Sequence, residues 1–171
     1  MTPPEMSVAP GYRRPADPRI WGAGIGAIGA SVFVLSYRDL LGSPWSTVAL
    51  AAYVVAAAAF VWAVLFVERR FEALARPRAN PWLVYLGAVL FEVALIAVGT
   101  MLLERVGRLD LRPVLIVLAV GLHFIPFAWV FRLPLFLPLA SIMSVLDVLG
   151  LLLGAFVHPV FSPAVAVLTG L

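Results

Sequence analysis

Apolar residues in this chain are gathered into long runs that are separated by short polar loops. Each run is close to the ~20 residues that an α-helix needs to cross the hydrocarbon core of a bilayer. Runs of this length and polarity are typical of transmembrane helices, so the pattern predicts an all-α integral membrane bundle. The five predicted spans cover residues 21–37, 47–67, 82–103, 113–131 and 135–157.

The last apolar segment, residues 160–171, is shorter than a membrane span. It fits half of a hairpin, an interfacial segment, or part of a sixth span that starts before His158. We favour five spans followed by a short apolar segment, with six spans as the alternative.

The first 19 residues are polar and rich in proline and arginine, which predicts a disordered tail before the first span. They do not resemble a cleavable signal peptide, because hydrophobic spans follow instead of a soluble domain.

The composition agrees with the pattern and narrows the chemistry. Of the 171 residues, 63% are hydrophobic and 12% are charged, which is too apolar for one soluble domain. There is no cysteine, so thiol redox chemistry, iron–sulfur clusters and cysteine-ligated zinc are excluded. The net charge of +3 comes from loop arginines, which favours contact with lipid headgroups over nucleic-acid binding. No cofactor is predicted.

All 12 basic residues are arginine. This bias is typical of a GC-rich bacterial genome, and it predicts the bacterial cytoplasmic (inner) membrane. Arginines are enriched in cytoplasmic loops, and an N-terminus on the inside places eight of them there and four outside. The inner set is Arg13, Arg14, Arg19, Arg69, Arg70, Arg76, Arg78 and Arg132, and the outer set is Arg38, Arg105, Arg108 and Arg112.

The first span contains a literal match to the glycine fingerprint of dinucleotide-binding folds, Gly24 to Gly29. No strand precedes it and no acidic residue follows at the required distance, so that interpretation fails. Gly22, Gly26 and Ala30 instead recur every four residues, which predicts a smooth helix face for close packing in lipid.

Three ionisable residues, Glu92, His123 and Asp147, each lie about halfway along one of three successive predicted spans. A charged group at the centre of a span costs about 2.5 to 3.5 kcal/mol, so such residues normally face one another or a wet cavity. We therefore expect a polar site near the bilayer midplane, formed by the third, fourth and fifth spans, that binds a ligand or protons.

Helical spacing predicts the neighbours of this site. Tyr85 shares a face with Glu92, and Ser144 shares one with Asp147, so both are expected to donate hydrogen bonds there. Pro126 lies one turn after the carbonyl of Leu122 and has no N–H to offer it, which predicts a kink and an exposed carbonyl beside His123.

Simpler interpretations stay open for each of these residues. A buried carboxylic acid can serve only to hydrogen-bond two helices. One histidine and two carboxylates form an incomplete ligand set, so no metal is predicted. The two histidines lie in separate helical regions, which excludes paired haem ligation. His158 is expected at the membrane interface, and Gly150 and Gly154 are expected to pack within the chain rather than between two copies.

The stretch Gly-Leu-His-Phe-Ile-Pro-Phe-Ala, Gly121 to Ala128, followed by Phe131 and Arg132, resembles a motif of small uncharacterised bacterial integral membrane proteins. This resemblance covers little more than the fourth span and implies no activity. Five-span tryptophan-rich sensory proteins are similar in size and helix count, which is a likeness of architecture alone.

The leading hypothesis is that the chain binds or transports a small molecule or ion with proton coupling. Glu92 and Asp147 would exchange protons or cations, and His123 would switch the site. The alternative is a scaffold or accessory subunit, as a homo-oligomer or with a membrane partner protein. A membrane-embedded enzyme acting on a lipid-like substrate is third, and the sequence leans against an enzyme because it holds no catalytic motif.

Overall fold

The computed structural model describes residues 18–67, 77–132 and 135–171. Within these ranges the chain forms six α-helices and no strand. Two short 3₁₀ turns, Arg38–Leu41 and Leu109–Leu111, lead into α2 and α4. The helices are α1 (Pro18–Tyr37), α2 (Trp45–Phe66), α3 (Pro81–Arg105), α4 (Arg112–Phe131), α5 (Phe136–Phe156) and α6 (Phe161–Gly170).

Five helical segments are long and apolar enough to cross a membrane, which confirms the prediction of five spans. The sixth helix has 10 residues. At 1.5 Å per residue it is about 15 Å long, half the thickness of the hydrocarbon core. The chain is therefore a multi-pass membrane protein of five spans with a short apolar helix after them, and the alternative of six full spans is wrong.

The helix ends lie close to the predicted ones. The largest difference is at α1, which begins at Pro18, inside the tail predicted over residues 1–19. Proline suits the first turn of a helix because that turn needs no N–H donor. Residues 1–17 of the tail, and Arg69, Arg70 and Arg76 of the predicted basic loop, lie outside the described residues.

The centre of the bundle is α4, which packs against α3, α5 and α6. On the other side, α1 packs against α6 and α2. In the described structure α2 and α3 are therefore the two edge helices, each held by one long neighbour. The buried core at the junction of four helices consists of Phe33, Val117, Met143 and Ala166.

The short helix α6 runs back into the bundle antiparallel to α5. A Cβ added to Gly150 would lie 2.8 Å from the Val165 side chain, and one added to Gly154 would lie 3.4 Å from Ser162. Ser162 is fully buried, and Ala166 is as well. Of the three interpretations of this segment, a returning half-hairpin is the one that the structure shows. Its apolar side chains are covered by protein on several sides.

The smooth face predicted on α1 is used only in part. A Cβ on Gly170 would lie 2.7 Å from the Ala30 carbonyl oxygen, so α6 and α1 touch closely there. Among the described residues, nothing lies within 4 Å of a Cβ placed on Gly22 or Gly26. The prediction was wrong for these two glycines, because α6 is too short to reach past Ala30. Gly150 and Gly154, by contrast, pack within the chain as predicted.

The end of α5 is held by an arginine from the connection between α3 and α4. Arg108 donates hydrogen bonds to the carbonyl oxygens of Gly154 at 3.0 Å and Ala155 at 3.4 Å. Its guanidinium also forms an ion pair with Asp110 at 3.1 Å. The last carbonyls of a helix have no partner within the helix. A cation at this end also interacts favourably with the negative end of the helix dipole. Arg108 thus fixes α5 against the α3–α4 connection.

Candidate functional site

Glu92 and His123 meet near the middle of α3 and α4. Glu92 Oε2 and His123 Nδ1 are 2.5 Å apart, and the two side chains are 20% and 15% exposed. Among the described residues, no serine, threonine or backbone group forms a further hydrogen bond with the side chain of Glu92 or His123. The structure therefore brings together two of the three midspan residues that the sequence singled out, as an acid and a base that share one hydrogen bond.

Aromatic rings enclose the histidine. The ring of His123 lies 4.5 Å from that of Phe124 and 5.0 Å from that of Phe127, centroid to centroid. Phe136 from α5 stacks on Phe124 at 5.7 Å. These rings keep the surroundings of the imidazole apolar, and a hydrogen bond is stronger in such a low-dielectric setting than in water. The glutamate–histidine contact is thus both polar and well sheltered.

A cavity of about 510 Å³ lies beside the pair, between α3 and α4. His123 and Pro126 line it from α4, and Gly87 and Ala88 line it from α3. The remaining lining residues are Val84, Phe91, Leu122 and Ile125. We call this space the α3–α4 groove. The imidazole of His123, which is 15% exposed, borders this groove on the side of the bundle.

Pro126 lies inside α4, which continues as one helix to Phe131. Because proline has no N–H, the carbonyl of Leu122 lacks the usual helical hydrogen bond at this point. Both residues line the α3–α4 groove. The position at which the sequence predicts a free carbonyl therefore lies on the wall of this groove, next to His123.

Asp147 is placed differently. It is 1% exposed, and neither carboxylate oxygen has a hydrogen-bond partner among the described residues. Close contacts fix its level, because Gly121 faces Met143 and Gly150 faces Val114. Asp147 is therefore level with Val117, six residues and about 9 Å along α4 from His123.

The sequence predicted one site formed by three residues, but the structure separates them. Glu92 and His123 form one site, and Asp147 forms another. α4 and α5 are antiparallel, and Gly121 and Gly150 set the register in which they pack. That register moves Asp147 toward the end of the bundle that carries the α3–α4 connection. Two residues that are each halfway along their own helices lie at different depths when those helices are offset along their axes.

A second cavity, of about 470 Å³, is lined by Asp147 and Leu151 of α5 together with residues of α3 and α4. We call it the Asp147 cavity. Its α3 wall is formed by Gly99, Leu102, Leu103, Arg105 and Val106, and its α4 wall by Val114, Leu115 and Leu118. The carboxylate and the guanidinium are its two charged groups, and they do not form an ion pair in the described structure.

The two predicted hydrogen-bond donors do not reach either acid. Tyr85 stacks on Trp82 at 5.9 Å and on Phe127 at 6.0 Å, so it supports the aromatic surroundings of His123. The hydroxyl of Ser144 lies beside Gly121, 3.6 Å from where a Cβ would be. Both expectations of hydrogen bonding were wrong, because the rings fill the space at Tyr85 and the α4–α5 contact takes Ser144.

Sequence reasoning missed two polar contacts. Tyr53 of α2 donates a hydrogen bond of 2.8 Å to Ser31 of α1, and Ser31 donates one of 2.7 Å to the Ala27 carbonyl. The second is the Arg108 contact with α5. A midspan serine and tyrosine on adjacent helices were a usable signal for the first, whereas nothing local distinguishes Arg108 from other loop arginines.

His158 is exposed in the turn before α6, and its Nδ1 accepts a hydrogen bond of 3.2 Å from the Val160 N–H. This histidine therefore helps to start α6. In the part of the chain that the structure describes, no three His, Asp or Glu residues gather as metal ligands would.

The class of protein that this geometry defines is a multi-pass helical membrane protein with a paired carboxylate and imidazole between two of its spans. No protein-family model, curated protein or solved structure matches the chain.

Proposed function

We propose that this protein binds and transports a small molecule or ion across the cytoplasmic membrane of a bacterium, in exchange for protons held by Glu92 and His123. The observation that carries the proposal is the 2.5 Å contact between these two side chains inside the bundle. The N-terminus lies on the cytoplasmic side in this proposal, as the distribution of loop arginines indicates.

The charge of the pair explains why proton exchange follows from this contact. With one shared proton the pair is neutral overall, either as carboxylate and imidazolium or as carboxylic acid and imidazole. When that proton leaves, a net negative charge stays in an apolar setting. Such a charge is costly unless it is compensated, and a cation entering the α3–α4 groove would compensate it. Release of the proton is in this way coupled to uptake of a cation.

The packing of α3 supports movement at this site. α3 has α4 as its one long neighbour in the described structure. A helix held from one side can change its distance or tilt with fewer contacts to break. Gly87 lines the groove, and nothing lies within 4 Å of a Cβ placed there, so the groove has free space on that side. Movement of α3 would open and close access to His123.

Proteoliposomes that contain the pH-sensitive dye pyranine test this proposal. A gradient of sodium, potassium or tetraethylammonium is imposed, and the proton movement that it drives is followed. At least one cation should move protons through the wild-type protein, whereas Glu92→Gln and His123→Phe should fall to the rate of vesicles without protein. Glu104→Gln is the matched control, because Glu104 is an exposed carboxylate at the end of the same helix.

Two results would contradict the proposal. One is a wild-type rate equal to that of empty vesicles with every cation. The other is full activity in Glu92→Gln, since glutamine can form the hydrogen bond but cannot exchange a proton.

A second candidate is a scaffold or accessory subunit, and one observation favours it. Glu92 and His123 form the one side-chain hydrogen bond between α3 and its neighbours in the described structure. The pair can therefore serve simply to hold an edge helix. This candidate predicts that Glu92→Leu releases a copurifying membrane partner while Glu92→Gln retains it, with no proton movement in any variant.

A further inference from the structure

We infer that the Asp147 cavity is a binding site for an organic cation, with an apolar body and one protonated amine that pairs with the Asp147 carboxylate. This inference rests on the proposed function in that it names the class of molecule transported. The binding site itself is independent of proton movement at Glu92 and His123.

The buried carboxylate is the first reason. Both oxygens of Asp147 lack a partner among the described residues, and the residue is 1% exposed. Buried charged or polar groups are normally paired, because an unpaired one has lost its hydration without replacement. A group with several N–H donors and a positive charge satisfies a carboxylate best. The cavity beside Asp147 is where such a group has room.

The second reason is the chemistry of the cavity lining, which indicates that the rest of the ligand is apolar. Apart from Asp147 and Arg105, the residues around the cavity are apolar, mostly leucine and valine. A metal ion requires several oxygen or nitrogen ligands, and within the described ranges none gather here. A molecule with a compact hydrocarbon body fits these walls, and one amine fits the single carboxylate.

The position of Arg105 is consistent with a single positive charge deep in the cavity. Gly99 faces Leu115 and Glu92 faces His123, which places Asp147 level with residues 97–98 of α3. Arg105 is therefore about 11 Å farther along α3, in its last turn. At that separation it marks the mouth of the cavity at the membrane surface and leaves the carboxylate without a partner.

Access comes from the side of the bundle. α3 and α5 both pack against α4 and share no substantial contact in the described structure. The cavity lies between them, over Val114, Leu115 and Leu118. An amphipathic amine dissolved in the bilayer can therefore enter laterally. Its hydrocarbon body would enter first and contact the leucine side chains.

A matched pair of probes tests the inference, 1-aminoadamantane and its neutral counterpart 1-adamantanol. Both have the same compact hydrocarbon cage, so the difference between them is the charged amine. The amine should raise the Tm of the purified protein in detergent in a saturable manner. The alcohol should bind at least about tenfold more weakly, as expected for loss of a charged hydrogen bond.

Variants locate the site. Asp147→Asn should weaken binding of the amine about tenfold or more and leave the weak binding of the alcohol unchanged. Leu151→Trp, which fills the cavity without changing charge, should weaken both probes. Arg105→Gln should keep or improve binding of the amine because it removes a like charge. Glu104→Gln should bind as the wild type does, since this exposed carboxylate does not line the cavity.

The inference is overturned if the two probes bind the wild-type protein equally, or if Asp147→Asn keeps the affinity for the amine. Should Asp147→Asn fail to fold, the comparison of the probes on the wild type and on Leu151→Trp decides alone. Binding of the amine without cation-driven proton movement would refute the proposed exchange and leave this site standing. Proton movement without binding would do the reverse.

Discussion

The α3–α4 contact and the α4–α5–α6 junction both bury a carboxylic acid, but they treat it in opposite ways. At the contact, Glu92 has His123 as a partner and α3 is an edge helix with one long neighbour. At the junction, Asp147 has no partner among the described residues, with close packing at Gly150 one turn away and a cavity of about 470 Å³ beside the carboxylate. Good packing and satisfied polar groups are therefore found in different parts of this bundle. A satisfied acid on a loosely held helix fits the movement proposed for α3, whereas an unsatisfied acid beside a cavity fits the binding proposed at Asp147.

The largest effect is expected from a substitution that disrupts the close packing of α4, α5 and α6 at Gly150. Gly150→Leu should destabilise the fold by about 3 kcal/mol or prevent folding, because even a Cβ at this position would lie 2.8 Å from both Val114 and Val165. Gly87→Leu in the loose region is the control and should cost little, since nothing lies within 4 Å of its Cβ position. Unfolding in a detergent series, followed by circular dichroism, measures both. Equal losses would show that the two regions do not differ in packing.

Removal of the partnered acid should have the next largest effect. Glu92→Leu leaves Nδ1 of His123 unpaired in an apolar setting, and we expect a loss of about 2 kcal/mol. Glu92→Gln keeps a hydrogen-bonding group and should lose less than half of that. The same unfolding series measures both variants, and a double variant with His123→Phe should recover part of the loss. No recovery would mean that the two residues do not act as a pair.

Removal of the unpartnered acid should change stability in the opposite direction. Asp147→Leu replaces a buried group without hydrogen bonds by an apolar one of similar size, and it should stabilise the fold by about 1 kcal/mol. The decisive feature is the sign of the change in the free energy of unfolding. It should rise in Asp147→Leu and fall in Glu92→Leu. A loss of stability in both variants would show that Asp147 has a partner in the membrane-embedded protein, and would remove the contrast.

The smallest effect is expected at the polar contact between α1 and α2. Tyr53→Phe removes the hydrogen bond to Ser31 and should cost about 0.6 kcal/mol, the average for such bonds between membrane helices. Ser31→Ala also removes the bond to the Ala27 carbonyl and should cost at least as much, and the two changes together should cost no more than Ser31→Ala alone. A double variant that loses more than Ser31→Ala alone would indicate that the Tyr53 hydroxyl has a further partner.

The sequence alone was enough to locate the membrane spans and to identify the polar residues within them. An apolar run near 20 residues has few alternatives in a bilayer, so length and polarity place each helix. Glu92 and His123 were found because an ionisable residue within a span is unusual. These are properties of single segments, and they can be read one helix at a time.

The relative placement of helices could not be read in that way. Asp147 falls about 9 Å from the level of His123 because Gly121 and Gly150 set the offset of α5 against α4, and that offset arises only when both helices are packed. Likewise, Tyr85 is on the predicted face of α3 but its ring stacks on Phe127. Periodicity gives the face of a helix, whereas the neighbour of that face depends on the whole bundle.

The returning helix α6 has a consequence for the order of events during synthesis. It is made after the five spans, yet it is the main element through which α1 and α2 join α4 and α5. Until α6 is in place, α1 and α2 each have the other as their main close neighbour within the described structure. We therefore expect α1 and α2 to lie in lipid as a separate pair at this stage of synthesis. The described bundle closes when α6 arrives between this pair and the other spans.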